Sequence, residues 1–146
     1  MIQVETSIQI NRPAAEVFAY LSNFENNPKW QSGMRSAYFT SEGPLRVGST
    51  YAQVAQFMGR RIESTFEVLE YEPGRRLKAT TTAGSVPITF TRIVEPAVGG
   101  AQVQAIIEGD ATGFIKLAEP LLKRMVQRSV DKDYANLKRL LESQEL

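Results

Sequence analysis

The chain has 146 residues, of which 42% are hydrophobic and 23% are charged, as expected for one globular domain spanning residues 1–146. Its net charge of +1 argues against nucleic-acid binding, and without an apolar run of about 18 residues or a secretory signal we expect no membrane insertion and a cytoplasmic location. It has no cysteine and no histidine, which excludes disulfides, Ser-His-Asp triads and ordinary zinc sites, so we expect no metal and no cofactor.

The first 30 residues predict a strand followed by two short helices. Residues 2–10 alternate between apolar and polar side chains, which is typical of a strand. Pro13 suits the first turn of a helix that continues to about Ser22. The buried face of this helix is predicted to carry Val17, Phe18 and Leu21. Residues 24–27 predict a second short helix or turn, which breaks at residues 26–28, just before Trp30.

From residue 35 onward the pattern changes to the period of two that is typical of strands. Turns that contain glycine or proline, such as residues 72–74 and 83–85, separate the segments. The predicted strands are residues 35–40, 49–58, 60–71, 77–82, 86–95 and 101–110. Strands spaced this closely favour an antiparallel meander over an alternation of strands and helices.

The last third of the chain predicts one long amphipathic helix. Apolar residues recur at steps of three and four from residue 113 to about residue 144, after a helix-entry loop at residues 110–113. Pro120 should cause a kink or a fresh start near Glu119, because proline lacks the backbone N–H. We expect this helix to lie across the concave face of the sheet, with its mixed basic and acidic residues on a solvated face.

Five segments carry a resemblance to a known family. They are residues 10–21 (INRPAAEVFAYL), 26–30, 42–49 (EGPLRVGS), 68–73 and 136–138. Together they resemble the SRPBCC superfamily, which has the helix-grip fold of START domains and birch-pollen-allergen-like proteins, and most of all its polyketide cyclase/dehydrase or lipid-transport-like branch. The resemblance implies an α+β fold, in which a seven-stranded curved antiparallel sheet wraps around the long C-terminal helix and two short helices follow the first strand.

The resemblance also implies a cavity between sheet and helix, where members bind lipids, sterols, plant hormones or polyketide intermediates, or cyclise them. Strand alternation predicts which side chains face this cavity. The predicted ligand-binding residues are Trp30, Tyr51, Gln53, Phe57, Ser64, Phe66, Phe90, Arg92, Leu121 and Met125. As an alternative, the apolar members of this set simply form the core.

Tyr51, Arg92 and Glu108 are the candidates for catalysis, since acid–base chemistry without histidine must use such groups. A buried arginine needs a carboxylate or an anionic ligand, and Glu108 is its candidate partner. The alternatives are that Arg92 reaches solvent near the strand end, that Glu108 lies at the rim, and that Tyr51 covers the sheet surface.

Three functions fit these patterns. The first is a carrier or sensor that binds a hydrophobic small molecule, such as a lipid, a polyketide or an aromatic compound, without chemistry. The second is a cyclase or dehydratase that acts without histidine or metal, which needs a base and a donor to the enolate. The third is a protein-interaction module, for example a homodimer partner, which predicts a filled interior and an apolar patch on the outer face of the sheet.

Overall fold

The computed structural model describes residues 1–110 and 118–143. Seven antiparallel strands form one sheet in the order β1-β7-β6-β5-β4-β3-β2. The elements in chain order are β1 (Ile2–Ile10), α1 (Ala14–Ser22), a single 3-10 turn (Phe24–Asn26), α2 (Asn27–Trp30), β2 (Met34–Phe39), β3 (Thr50–Phe57), β4 (Arg60–Glu72), β5 (Arg76–Gly84), β6 (Ile88–Ala97), β7 (Gly100–Gly109) and α3 (Glu119–Glu142). This arrangement confirms the α+β helix-grip fold, with two short helices after the first strand.

Two features differ from the prediction, and a third confirms it. The chain does not break at residues 26–28, because Pro28 lies in the first turn of α2, where its missing N–H has no intrahelical role. Strand β5 continues through Gly84, inside the predicted turn at residues 83–85. Helix α3 makes the fresh start that Pro120 predicted, since this proline again occupies the first turn. The predicted helical residues 113–117 and most of the entry loop lie outside the described residues.

The core lies between the concave face of the sheet and the helices. On β4, Ile62, Ser64, Phe66 and Val68 are all buried, so the predicted inward face of this strand is confirmed. Helix α3 buries its apolar stripe as expected, and Tyr134, Leu137 and Leu141 share one cluster with the inner face of the sheet. The helix side of the core is therefore formed by one face of α3 together with the apolar residues of α1 and α2.

Polar contacts fix α3 against β1. The Lys138 ammonium donates a hydrogen bond to the carbonyl oxygen of Gln9 at 2.7 Å. The Gln127 amide donates to the carbonyl oxygen of Glu5 at 2.8 Å. Gln127 lies about three helical turns before Lys138 on α3, so the two contacts are well separated along the helix. These two anchors set the rotation of the helix, and with it the side chains that face the sheet. No helix in the described part of the chain is long and apolar enough to cross a membrane.

Candidate functional site

A cavity of about 250 Å³ lies between the concave face of the sheet and α3. Alternate residues of β3, β4 and β6 line it on the sheet side, and α2 and α3 close the opposite side. Its wall is mostly apolar and aromatic, with a few polar groups, which is the usual composition of a small-molecule site. The main apolar lining residues are Trp30, Phe57, Ile62, Phe66, Ile88, Phe90, Leu122, Val126 and Val130.

Arg92 is the most unusual residue of this cavity. Its side chain points inward from β6, and the residue is only 4% exposed. Its Nη1 donates to the carbonyl oxygen of Leu21 at 3.0 Å and to Oδ1 of Asn27 at 3.4 Å. Leu21 lies in the last turn of α1, where the helix dipole favours a cation. One edge of the guanidinium therefore supports the end of α1, while its Nε has no hydrogen-bond partner among the described residues.

Aromatic rings surround the Arg92 charge. The guanidinium carbon lies 4.7 Å from the ring centre of Phe90, 5.1 Å from that of Trp30 and 5.9 Å from that of Phe24. Such cation–π contacts partly replace lost hydration. None of the ion pairs among residues 1–110 and 118–143 involves Arg92. The site therefore holds a buried positive charge without a paired carboxylate in the described structure.

Tyr51 lies beside Arg92 and is fully buried in a stack of rings. Its ring centre lies 4.2 Å from that of Phe24 and 5.0 Å from that of Phe66. Its hydroxyl has no hydrogen-bond partner within the described part of the chain. Burial raises the pKa of Tyr51 well above its ordinary value, although the nearby Arg92 charge lowers it in part. Tyr51 is therefore a protonated hydroxyl that can donate a hydrogen bond, and it is a poor base.

Trp30 and Tyr134 complete the polar end of the cavity. The Trp30 ring meets that of Tyr134 edge-on at 4.8 Å, and the indole Nε1 has no acceptor among the described atoms. Burial raises the pKa of Tyr134, while the charge of Arg92 and a hydrogen bond with it lower that pKa. Three residues of the cavity wall thus carry buried donors without partners in the described structure: the Arg92 Nε, the Tyr51 hydroxyl and the Trp30 indole N–H.

Asp133 is a cavity residue that the sequence did not single out. It lies on α3, and its Oδ1 accepts hydrogen bonds from the Ser32 backbone N–H at 3.1 Å and the Ser32 hydroxyl at 3.2 Å. Burial raises the pKa of Asp133, while the Ser32 hydrogen bonds and the Lys132 charge lower it. The sequence spacing could have indicated that Asp133 faces the cavity, since residues 126, 130, 133 and 137 lie on one face of the helix.

The structure brings seven of the predicted ligand-binding residues to the cavity wall. They are Trp30, Tyr51, Gln53, Phe57, Phe66, Phe90 and Arg92. Ser64 and Met125 are not part of this wall, although Ser64 is buried on the same sheet face. The placement of Leu121 was wrong, because this residue is 46% exposed while Leu122 faces the cavity. One residue turns a helix by about 100°, so the inward stripe passes through Leu122 and Val126 instead.

Glu108 is not the partner of Arg92. On β7, the lining residues Ile107 and Gly109 flank Glu108, so its side chain points to the opposite face of the sheet. Glu108 lies across from Thr89, whereas Arg92 lies across from Ala105. The alternative in which Arg92 reaches solvent was also wrong, since the residue is buried. The proposed catalytic trio is therefore not assembled.

No group of three or more carboxylates in the described ranges is arranged to hold a metal ion. The chemistry that these side chains offer is the donation of hydrogen bonds and of one positive charge inside an apolar cavity. That arrangement can bind an acceptor oxygen or stabilise a negative charge on it.

A family model described as polyketide cyclase/dehydrase and lipid transport matches residues 1–142. No curated protein has a matching sequence.

Several solved structures have a similar fold. A START superfamily protein from Mycobacterium smegmatis is 12% identical with a TM-score of 0.81, over 97% of both chains. The protein TTHA0849 from Thermus thermophilus is 17% identical with a TM-score of 0.80, over 97% of this chain and 99% of that one. The di-domain ARO/CYC BexL from the BE-7585A biosynthetic pathway is 22% identical with a TM-score of 0.74, over 97% of this chain and 47% of that one. At these identities the likeness shows the fold alone.

Proposed function

The chain belongs to the polyketide cyclase/dehydrase and lipid-transport family, as the resemblance in its sequence predicted, and we propose that it binds a hydrophobic small molecule as a carrier or sensor. The proposed site is the cavity between the concave sheet face and α3. The observation that supports this function best is an apolar wall interrupted by buried donors without partners in the described structure. A bound molecule with an apolar body would fill the space and satisfy those donors.

A ligand can compensate for buried polar groups that have no partner in the protein. A buried polar group without a partner costs about 1–3 kcal/mol, and three of the six such groups in the described structure belong to residues of this cavity wall. In a purely structural core, apolar side chains of similar size would pack at these positions at lower cost than the unpaired polar groups. A ligand that supplies acceptors offsets the cost, so binding energy comes from groups that destabilise the free protein.

A cavity-filling variant tests this function. Ala55 lies on β3 and lines the cavity, whereas Ala52 on the same strand points to the opposite face. The neutral dye N-phenyl-1-naphthylamine, which fluoresces in apolar surroundings, serves as the probe. We expect the wild type and Ala52→Phe to bind this dye and Ala55→Phe to lose binding. Equal binding by both variants would place the dye outside the cavity and refute the proposal.

A second candidate function is cyclisation or dehydration of a polyketide-like substrate. Its specific support is that the Asp133 carboxylate lines the same cavity as Arg92 and Tyr51. Asp133 would remove an acidic proton as general base, and the other two would stabilise the enolate oxygen. Incubation with a poly-β-ketone mimic, followed by mass spectrometry, tests this role. A cyclised product made by the wild type but not by Asp133→Asn would support it, and no product from either would reject it.

The protein-interaction alternative has less support. It predicted a filled interior, whereas the cavity measures about 250 Å³. A homodimer and a cytoplasmic location stay predictions. Light scattering of the purified protein would decide the first, and fractionation of the cells that express it would decide the second.

A further inference from the structure

We propose that the ligand is an organic anion, whose apolar body fills the cavity and whose negatively charged oxygen group binds Arg92, Tyr51 and Trp30. This inference rests on the proposed binding function and names the chemical class of the ligand. It covers carboxylates, sulfonates and phenolates alike, because all of them present acceptor oxygens with negative charge. It separates them from neutral hydrocarbons, alcohols and ketones of the same shape.

The charge of Arg92 is the first argument. Arginine stays protonated in proteins, and its burial removes most of the water around the guanidinium. The Leu21 carbonyl and the Asn27 amide oxygen, which accept hydrogen bonds from its Nη1, are neutral. The surrounding rings stabilise a cation but do not neutralise it. An anion is the ligand that removes this imbalance.

Support of α1 does not account for the whole side chain. The contact with Leu21 uses Nη1 alone, and it satisfies one carbonyl in the last turn of α1. The Nε donor stays unpaired among the described residues, on a side chain that lines the cavity. Arginine is suited to two tasks at once, because its donors are arranged in a planar fork. Nη1 holds the helix, and the Nε donor is available to a ligand oxygen.

The neighbouring donors are the second and independent argument. The Tyr51 hydroxyl and the Trp30 indole N–H are buried and unpaired in the described structure, and they belong to residues that line the same cavity as Arg92. An indole N–H only donates, and burial keeps the Tyr51 hydroxyl protonated. A ligand that met these groups with donors of its own would leave the indole N–H and the Arg92 Nε unsatisfied, since neither can accept a hydrogen bond. The set therefore selects a ligand rich in acceptors.

Two carboxylates also line the cavity and limit where the anion can lie. Asp133 is held by two hydrogen bonds from Ser32 between α2 and β2. The second carboxylate, Asp110, directly follows β7 and is not without a partner. Because unlike charges attract and like charges repel, the anionic group should lie against Arg92 and away from the two carboxylates.

A matched pair of dyes tests the inference. N-phenyl-1-naphthylamine and 8-anilino-1-naphthalenesulfonate share one aromatic skeleton, and only the second carries an anionic group. Dye fluorescence and quenching of Trp30, the only tryptophan in the chain, report binding. We expect the wild type to prefer the sulfonate by about 10- to 100-fold, since a hydrogen bond to a charged group contributes that much.

Three variants test which residues cause the preference for the sulfonate dye. Arg92→Met should abolish the preference for the sulfonate over the neutral dye, and Arg92→Lys should keep part of it because the charge remains. Tyr51→Phe should reduce the same preference, which preserves the test if the Arg92 variants do not fold. As the control, Arg128→Met, at an exposed arginine of α3, should change nothing, which checks for dye attached to surface cations.

The outcomes separate this inference from the function on which it rests. Equal affinity of the wild type for both dyes would overturn the anion site and leave the hydrophobic cavity standing. A sulfonate preference that survives Arg92→Met, or disappears in Arg128→Met, would also overturn it. Failure of the wild type to bind either dye would overturn the cavity function itself.

Discussion

Replacement of Tyr51 by phenylalanine removes one buried hydroxyl and leaves the aromatic packing in place. The ring would keep its stacks on Phe24 and Phe66, at 4.2 Å and 5.0 Å between centres. The hydroxyl has no partner among the described residues, and such a group costs about 1–3 kcal/mol. We therefore expect Tyr51→Phe to raise the free energy of unfolding of the ligand-free protein by about 1 kcal/mol or more.

In urea denaturation, the increase should appear as a higher midpoint concentration, with the same dependence of the unfolding free energy on urea. In thermal denaturation, Tm should rise by about 2–4 °C per kcal/mol for a chain of this size. Tyr134→Phe is the matched control, because the Tyr134 hydroxyl is not among the unpaired buried groups of the described residues and its loss should not stabilise the protein. If Tyr51→Phe is less stable than the wild type, its hydroxyl is already satisfied and is not reserved for a ligand.

Two further predictions concern α3. Leu122→Ala should lower the free energy of unfolding by about 2–5 kcal/mol, while Leu121→Ala should stay within about 0.5 kcal/mol, as measured by urea denaturation. Burial raises the pKa of Asp133, so the folded state keeps a proton that the unfolded state releases above the ordinary value of 3.8. Stability from this carboxyl should therefore fall as pH rises from 3.8 through the raised pKa, and Asp133→Asn should remove that fall.

Equal losses in the two leucine variants would show that the rotation of α3 differs from the one described. Parallel stability profiles of the wild type and Asp133→Asn between about pH 4 and pH 7 would show that the Asp133 carboxyl is not shifted. Asparagine keeps an acceptor for Ser32, so the comparison isolates the titration from the hydrogen bonds.

Much of the sheet could be predicted because one of its faces is buried. A shift of one residue on β4 would exchange Ile62 and Phe66 for Arg61 and Glu67, so the alternation allows one orientation only. The same logic placed Arg92 on the inner face beside Phe90. It failed for Glu108, whose proposed pairing with Arg92 ignored that Ile107 must face inward.

The rotation of α3 was harder to predict. Apolar residues stand in adjacent pairs, Leu121 with Leu122 and Met125 with Val126, so two neighbouring stripes fit the sequence equally well. Contacts distant in sequence decide between them, such as the hydrogen bond from Gln127 to Glu5. The burial of Asp133 likewise depends on Ser32, which precedes it by 101 positions.

Native mass spectrometry of the purified protein tests most directly whether the cavity holds a small molecule. We expect a species heavier than the chain by the mass of one organic compound, which is released on denaturation and is absent from Ala55→Phe. A single mass equal to that of the chain, unchanged after addition of N-phenyl-1-naphthylamine or 8-anilino-1-naphthalenesulfonate, would contradict the proposed function.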